Sequence, residues 1–136
     1  MIEFKNVRKV YNSRKGGRCV ALNGINLQLP DTGLIFIIGK SGSGKSTLLN
    51  LLGGLDTITS GDIIADGNSI ASFKGEDFEN YRRKYVGNIF QNFNLIDDKT
   101  VFENVAFAMQ VVGESGRIVK QRVPAILNIV NLIDKF

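Results

Sequence analysis

The chain contains no histidine, and in 136 residues it has one cysteine, Cys19. Cys19 therefore lacks a partner for an internal disulfide, which suits a reducing compartment. No imidazole stands by to activate it, so a packing or surface thiol is expected rather than a nucleophile. Long apolar runs are missing too. None is longer than Leu34 to Ile38, far short of the roughly 20 residues a membrane span needs. Met1-Ile2-Glu3-Phe4-Lys5 has mixed charge and no apolar stretch, so it is not a signal peptide. There are no repeats and no low-complexity segments. These absences predict a soluble, cytoplasmic chain that can still sit against a membrane partner. Charge of one sign is scarce as well: 17 Lys+Arg against 13 Asp+Glu leave a net +4. The basic residues gather only in two short knots, Arg14-Lys15-Gly16-Gly17-Arg18 and Arg82-Arg83-Lys84. Neither makes a basic face, so no nucleic-acid partner is expected.

What remains is an ordinary globular composition, 43% hydrophobic and 22% charged with 15 Gly. The length fits one domain or a piece of one. Ile2 to Tyr11 mixes β-formers with charges and predicts a strand, and Cys19 to Leu29 its hairpin partner across a basic Gly-rich turn. Pro30-Asp31-Thr32-Gly33 is a turn by composition. Leu34 to Ile38 has no polar face and predicts a strand buried on both sides. Ser46 to Leu55 carries leucines at helical spacing and stops at Gly53-Gly54. Ile63 to Ala65 predicts a short strand ending at Asp66-Gly67, and Glu76 to Arg83 a surface helix. Tyr85 to Phe90 predicts a second buried strand, and Val101 to Val112 and Arg117 to Phe136 predict helices. In the last helix Val123, Ile126, Leu127, Val130 and Ile133 line one face. The order points to an α/β fold with an antiparallel β flap ahead of a loop-and-helix core.

That loop carries the chemistry. Gly39-Lys40-Ser41-Gly42-Ser43-Gly44-Lys45-Ser46 fits G-x-x-x-x-G-K-[ST]. Gly39, Gly42 and Gly44 allow backbone conformations in which successive N–H groups point inward at phosphate oxygens. The residues between them, Ser41 and Ser43, contribute further N–H groups. The first turn of the following helix adds partial positive charge. Lys45 supplies a full charge for the β- and γ-phosphates, Ser46 a hydroxyl for Mg²⁺, and Thr47 support at the α-phosphate. The match falls after an apolar run and opens a helix, as this chemistry requires. A guanine-reading N-K-x-D is absent.

The surroundings narrow the choice. Gly39 to Leu55, GKSGSGKSTLLNLLGGL, with Asp56-Thr57-Ile58-Thr59-Ser60-Gly61 after it, resembles the ABC transporter ATPase family. So does Val86-Gly87-Asn88-Ile89-Phe90-Gln91-Asn92-Phe93-Asn94-Leu95-Ile96, with Thr100 to Val105 beyond. Leu-Gly-Gly-Leu-Asp and Phe-Gln-Asn-Phe-Asn-Leu-Ile look most like the branch serving lipoprotein, macrolide and antimicrobial-peptide exporters. Ile58 stands where the family usually has proline. The resemblance implies a P-loop NTPase core of the ABC ATPase type, with residues 1–33 as β flap, 34–96 as core through the Q-loop, and 97–136 opening a helical subdomain. It implies that Gln91 is the Q-loop glutamine reaching Mg²⁺ and the attacking water. Tyr11 would be the aromatic that stacks on adenine, whereas Arg14, Lys15 and Arg18 are read as a solvated turn. The implied ligands are ATP and Mg²⁺. The implied partners are a membrane permease and a second ATP-binding domain in a head-to-tail dimer, on the cytoplasmic face of the cell membrane.

Family features also fail to occur. The Leu-Ser-Gly-Gly-Gln signature is absent, and so is an apolar strand ending in Asp-Glu. Asp62 to Asp66 is too short for that strand, and Leu127 to Asp134 has helical spacing. The switch histidine is impossible here. The expectation is an ATP-binding subunit or domain that powers export, with these 136 residues binding nucleotide and unable to hydrolyse it. A non-catalytic nucleotide-binding module, and an ABC-type ATPase acting on DNA or ribosomes, are the alternatives.

Overall fold

Apolar residues on one face of the first strand dictate the sheet. In the computed structural model, which describes residues 1–13 and 16–135, β1 (Ile2–Asn12) buries Phe4 and Val7. It lies between β2 (Arg18–Leu29) and β3 (Ser60–Ala65), antiparallel to both. Phe4 stands opposite Leu27 on one side and Ile63 on the other, and Tyr11 opposite Cys19. A two-residue β4 (Asn68–Ser69) completes the order β2-β1-β3-β4. The β1–β3 register slips between Lys5 and Arg8, where Asn6 takes a positive φ of 49°. Gly61 fits there because a Cβ on it would lie 2.3 Å from the Asn6 carbonyl oxygen. Arg14 and Lys15 of the expected basic turn, and Phe136 at the end of the last expected helix, lie outside the described residues.

α1 (Lys45–Leu52) packs Leu48 and Leu51 into the core that this sheet covers. The last carbonyl of α1, left free by the helix end, and the Gly54 carbonyl just beyond it are met by α2 (Glu76–Tyr85). The Tyr81 hydroxyl donates to the Leu52 carbonyl at 2.9 Å, and Arg82 Nη1 to the Gly54 carbonyl at 2.7 Å. α2 is therefore less of a surface helix than its charges suggest, since Tyr81 is buried against Phe73.

Two compact units divide at Asn88. The second, from Ile89 onward, is a helical pair: α3 (Val101–Val111) and α4 (Gly116–Ile129). Thr100 and Glu103 close a reciprocal cap on α3, and Ser115 caps α4. Ala106, Val119, Val123 and Leu127 form this unit's core. Ile126, Val130 and Ile133, expected on that face, are exposed. α4 stops at Ile129, so the single long helix read from the sequence breaks before Val130.

Two expected strands do not form. Leu34–Ile38 and Tyr85–Phe90 pair with no strand among the described residues. Leu34, Phe36 and Ile38 are 80%, 75% and 91% exposed, and Ile89 fully so. A strand needs a hydrogen-bonded neighbour, and an apolar run without one stays an extended segment.

Candidate functional site

The Gly-rich loop runs from the end of the Leu34–Ile38 segment into α1. Gly44 is the helix N-cap with φ of 91°, and Gly42 has φ of +77°; both conformations favour glycine. A Cβ on Gly44 would stand 2.6 Å from the Ala21 carbonyl oxygen, so the helix start is pressed against β2. A Cβ on Gly39 would meet the Ser43 hydroxyl oxygen at 2.8 Å. The loop is closed across its mouth by Lys45. Its ammonium donates to the carbonyls of Gly39 at 2.9 Å and Lys40 at 2.8 Å. Ser41 and Ser46 are exposed and Thr47 is half-buried on the first turn. α1 has no acidic residue in its first turn, so the partial positive charge of its free N–H groups is unopposed there.

A second cluster stands beside the loop. Lys9 is only 8% exposed, and its ammonium donates to Asp56 Oδ1 at 2.5 Å and to the Thr57 carbonyl at 2.6 Å. Asp56 Oδ2 accepts from the Tyr11 hydroxyl at 2.7 Å. The same ammonium lies 4.8 Å from the Tyr11 ring centroid. The hydrogen bond to Asp56 raises the Tyr11 phenol above its ordinary value, burial adds to this, and the nearby Thr47 side chain opposes it. Burial disfavours the Asp56 carboxylate, yet Lys9, Tyr11 and the Thr57 N–H together hold it below the ordinary carboxylate range. An open cavity of about 310 Å³ borders Tyr11, Arg18 and Cys19. A larger one, about 410 Å³, lies among Asp66, Phe73, Tyr81 and Tyr85, and no loop residue lines it.

The expected site residues thus fall into two sets. Tyr11 and the stretch Gly39, Ser41, Gly42, Ser43, Gly44, Lys45, Ser46 and Thr47 lie in the first unit. Gln91 is exposed in the second. Sequence reasoning missed Lys9 and Asp56. One signal was available: a lysine two residues before Tyr11 on a strand shares its face. The separation of 47 positions from Lys9 to Asp56 gave none.

A family model described as ABC transporter matches residues 22–135. The chain belongs to the ABC transporter family. Relatives of this cassette sequence include the methionine import ATP-binding protein MetN of Helicobacter pylori (strain HPAG1), 38% identical over 99% of this chain and 40% of that protein. MetN 1 of Rhodopseudomonas palustris (strain ATCC BAA-98 / CGA009) is 41% identical over 98% of this chain and 36% of its own length. Among solved structures, the dimeric ATP-binding cassette MJ0796 bound to ADP and Pi superposes with a TM-score of 0.85 at 33% identity. That match covers 96% of this chain and 57% of the solved one. The fold is that of ABC ATPase cassettes. The chain spans about 40% of the length of the MetN relative from Helicobacter pylori. Among the described residues, no helix is long and apolar enough to cross a membrane.

Proposed function

We propose that this chain is the nucleotide-binding part of an ABC transporter ATPase, and that it takes Mg-ATP through the loop at Gly39 to Thr47. One observation carries the reading: Gly42 and Gly44 hold left-handed conformations just before α1, and the Lys45 ammonium folds back over the loop onto the Gly39 and Lys40 carbonyls. An anionic chain of phosphates can replace the two carbonyls as partner of Lys45, with a net gain from charge-assisted bonds. Position 44 has no room for a side chain, as a backbone cradle requires. Bound Mg²⁺ would neutralise phosphate charge. Ser46 supplies the one hydroxyl for it, and no group of three acidic, cysteine or histidine side chains occurs among the described residues. That donor set fits an ion held mainly by phosphates and water. Tyr11 stacks on the base, and Gln91, in the second unit, is read as the Q-loop glutamine from its family-like surroundings.

The three-part division at residues 33 and 96 belongs to this reading, as does a whole protein that hydrolyses ATP as a dimer. So do a permease partner and a place at the cytoplasmic face of the cell membrane. The 136 residues themselves bind without turnover, because they carry neither an acidic base after an apolar strand nor the Leu-Ser-Gly-Gly-Gln signature. For direction, the Leu-Gly-Gly-Leu-Asp and Phe-Gln-Asn-Phe stretches support export. Uptake is the second reading, favoured by relatives whose names are methionine import proteins. Reconstitution of the whole transporter in vesicles separates the two by whether substrate is lost or accumulated.

The test of the nucleotide reading is a titration with a fluorescent ATP analogue and Mg²⁺, alongside phosphate release, for this chain and Lys45→Ala. Losing hydrogen bonds from a charged donor predicts affinity lower by about 10- to 100-fold. No phosphate release is expected from either. Binding indifferent to Lys45 overturns the reading, and Lys45-dependent release overturns the claim of inactivity.

A further inference from the structure

Lys9 is a buried cation with no place in the phosphate cradle, and it lies on the ring of Tyr11. The arrangement constrains the ring twice. Asp56 fixes the hydroxyl of Tyr11 at 2.7 Å, and the Lys9 ammonium sits 4.8 Å from the ring centre. Lys9 is itself held by two short bonds, to Asp56 at 2.5 Å and to the Thr57 carbonyl at 2.6 Å. Tyr11 remains 39% exposed and borders the open cavity that Arg18 and Cys19 complete. Asp56 follows the Gly53-Gly54 turn that ends α1, whose other end is the cradle, so its bond ties the Tyr11 hydroxyl on β1 to the segment that leaves that helix.

We propose that Lys9 and Asp56 are positioning residues for base recognition: they lock the Tyr11 ring at one angle and cover one face, leaving the other to stack a planar heteroaromatic base. This rests on the reading of the loop as an ATP site. A strand-end tyrosine left free would lose side-chain freedom when a base docks, and a tethered one has already lost it. The ammonium also polarises the ring from the covered side, which orders the stack without blocking the open side.

The distinguishing readout is the split between nucleotide and phosphate chain. Mg-ATP and magnesium tripolyphosphate are titrated against the full chain, Tyr11→Phe, Asp56→Ala, Lys45→Ala and the double variant Lys9→Met with Asp56→Leu. The double variant replaces the ion pair by apolar groups and so keeps the fold even if Asp56→Ala, which strands Lys9, does not. The tether variants are expected to weaken ATP by about three- to tenfold and leave tripolyphosphate unchanged. In a Tyr11→Ala background the double variant should add nothing further. ATP affinity at the wild-type level in folded tether variants overturns the proposal, and so does an equal loss for both ligands. Lys45→Ala binding both ligands like wild type fails the cradle itself, a different result that removes the premise.

Discussion

Two sets of apolar β-formers meet different fates in one chain. β1, β2 and β3 find each other within the first 65 residues, and bury Phe4, Val7 and Ile63 almost completely. Leu34–Ile38 and Tyr85–Phe90 are at least as apolar, find no strand neighbour among the described residues, and leave most of their side chains in solvent, with only Ile37 and Val86 partly buried against the core. The difference is not propensity. A strand is a relation between segments, so hydrophobic runs of equal strength are worth very different amounts of stability depending on who stands beside them.

One substitution made in both places tests this most directly. Phe4 is 1% exposed and Phe36 is 75% exposed. Phe4→Ala should cost about 3–5 kcal/mol by loss of burial and creation of a cavity. Phe36→Ala should stay within about 0.5 kcal/mol, as for surface sites. Urea unfolding midpoints read both. Comparable losses at the two positions would mean that Leu34–Ile38 is buried in solution by a contact between copies, and dilution would then reduce the Phe36 effect.

A glycine pair sharpens the same contrast at smaller scale. Gly61 and Gly67 both have positive φ, +89° and +79°. Only Gly61 faces backbone, the Asn6 carbonyl at 2.3 Å from an added Cβ; nothing lies within 4 Å at Gly67. Gly61→Ala should cost about 2–4 kcal/mol, combining left-handed strain with overpacking against β1. Gly67→Ala carries the strain alone, about 1 kcal/mol. Similar costs in thermal melts would show that the β1–β3 slip yields easily.

The contrast also explains what could be read from the residues. Periodicity, glycine placement and the Gly-x-x-x-x-Gly-Lys-Ser spacing are local properties, and they locate the hairpin, the loop, α1, α2 and α3 to within a few residues, and the start though not the end of α4. Leu34–Ile38 was misread because burial on both faces presupposes strands that local sequence cannot supply. The stop of α1 at Gly53-Gly54 is legible, since the helix closes at Leu52 with Gly53 as its cap, but the bonds from Tyr81 to the Leu52 carbonyl and from Arg82 to the Gly54 carbonyl just beyond it are not. The Lys9–Asp56–Tyr11 cluster was illegible for the same reason. Asp56 was visible inside a family-like stretch, but its partners come from a strand 45 and 47 positions earlier.

The smallest expected effect lies in acid, and it separates the two units. Asp56 in the first unit and Glu103 in the second are both held below the ordinary carboxylate range. At Glu103 the leading cause is the Thr100 backbone N–H of the helix cap. A depressed folded value means that each group stabilises the fold above its unfolded pKa, and that this is lost as pH falls through the folded one. The loss therefore starts near pH about 4 and finishes below it. All three tyrosines, Tyr11, Tyr81 and Tyr85, lie in the first unit, so tyrosine fluorescence follows that unit alone, whereas far-ultraviolet circular dichroism also sees α3 and α4. In Asp56→Asn the fluorescence midpoint in urea should change less between pH 5 and pH about 3 than in the parent chain. The Glu103→Gln variant should leave that difference untouched. A parent fluorescence midpoint that does not fall across this range would mean that Lys9 pairs with Asp56 no more strongly than an exposed lysine would, and the ring of Tyr11 would then be free to turn.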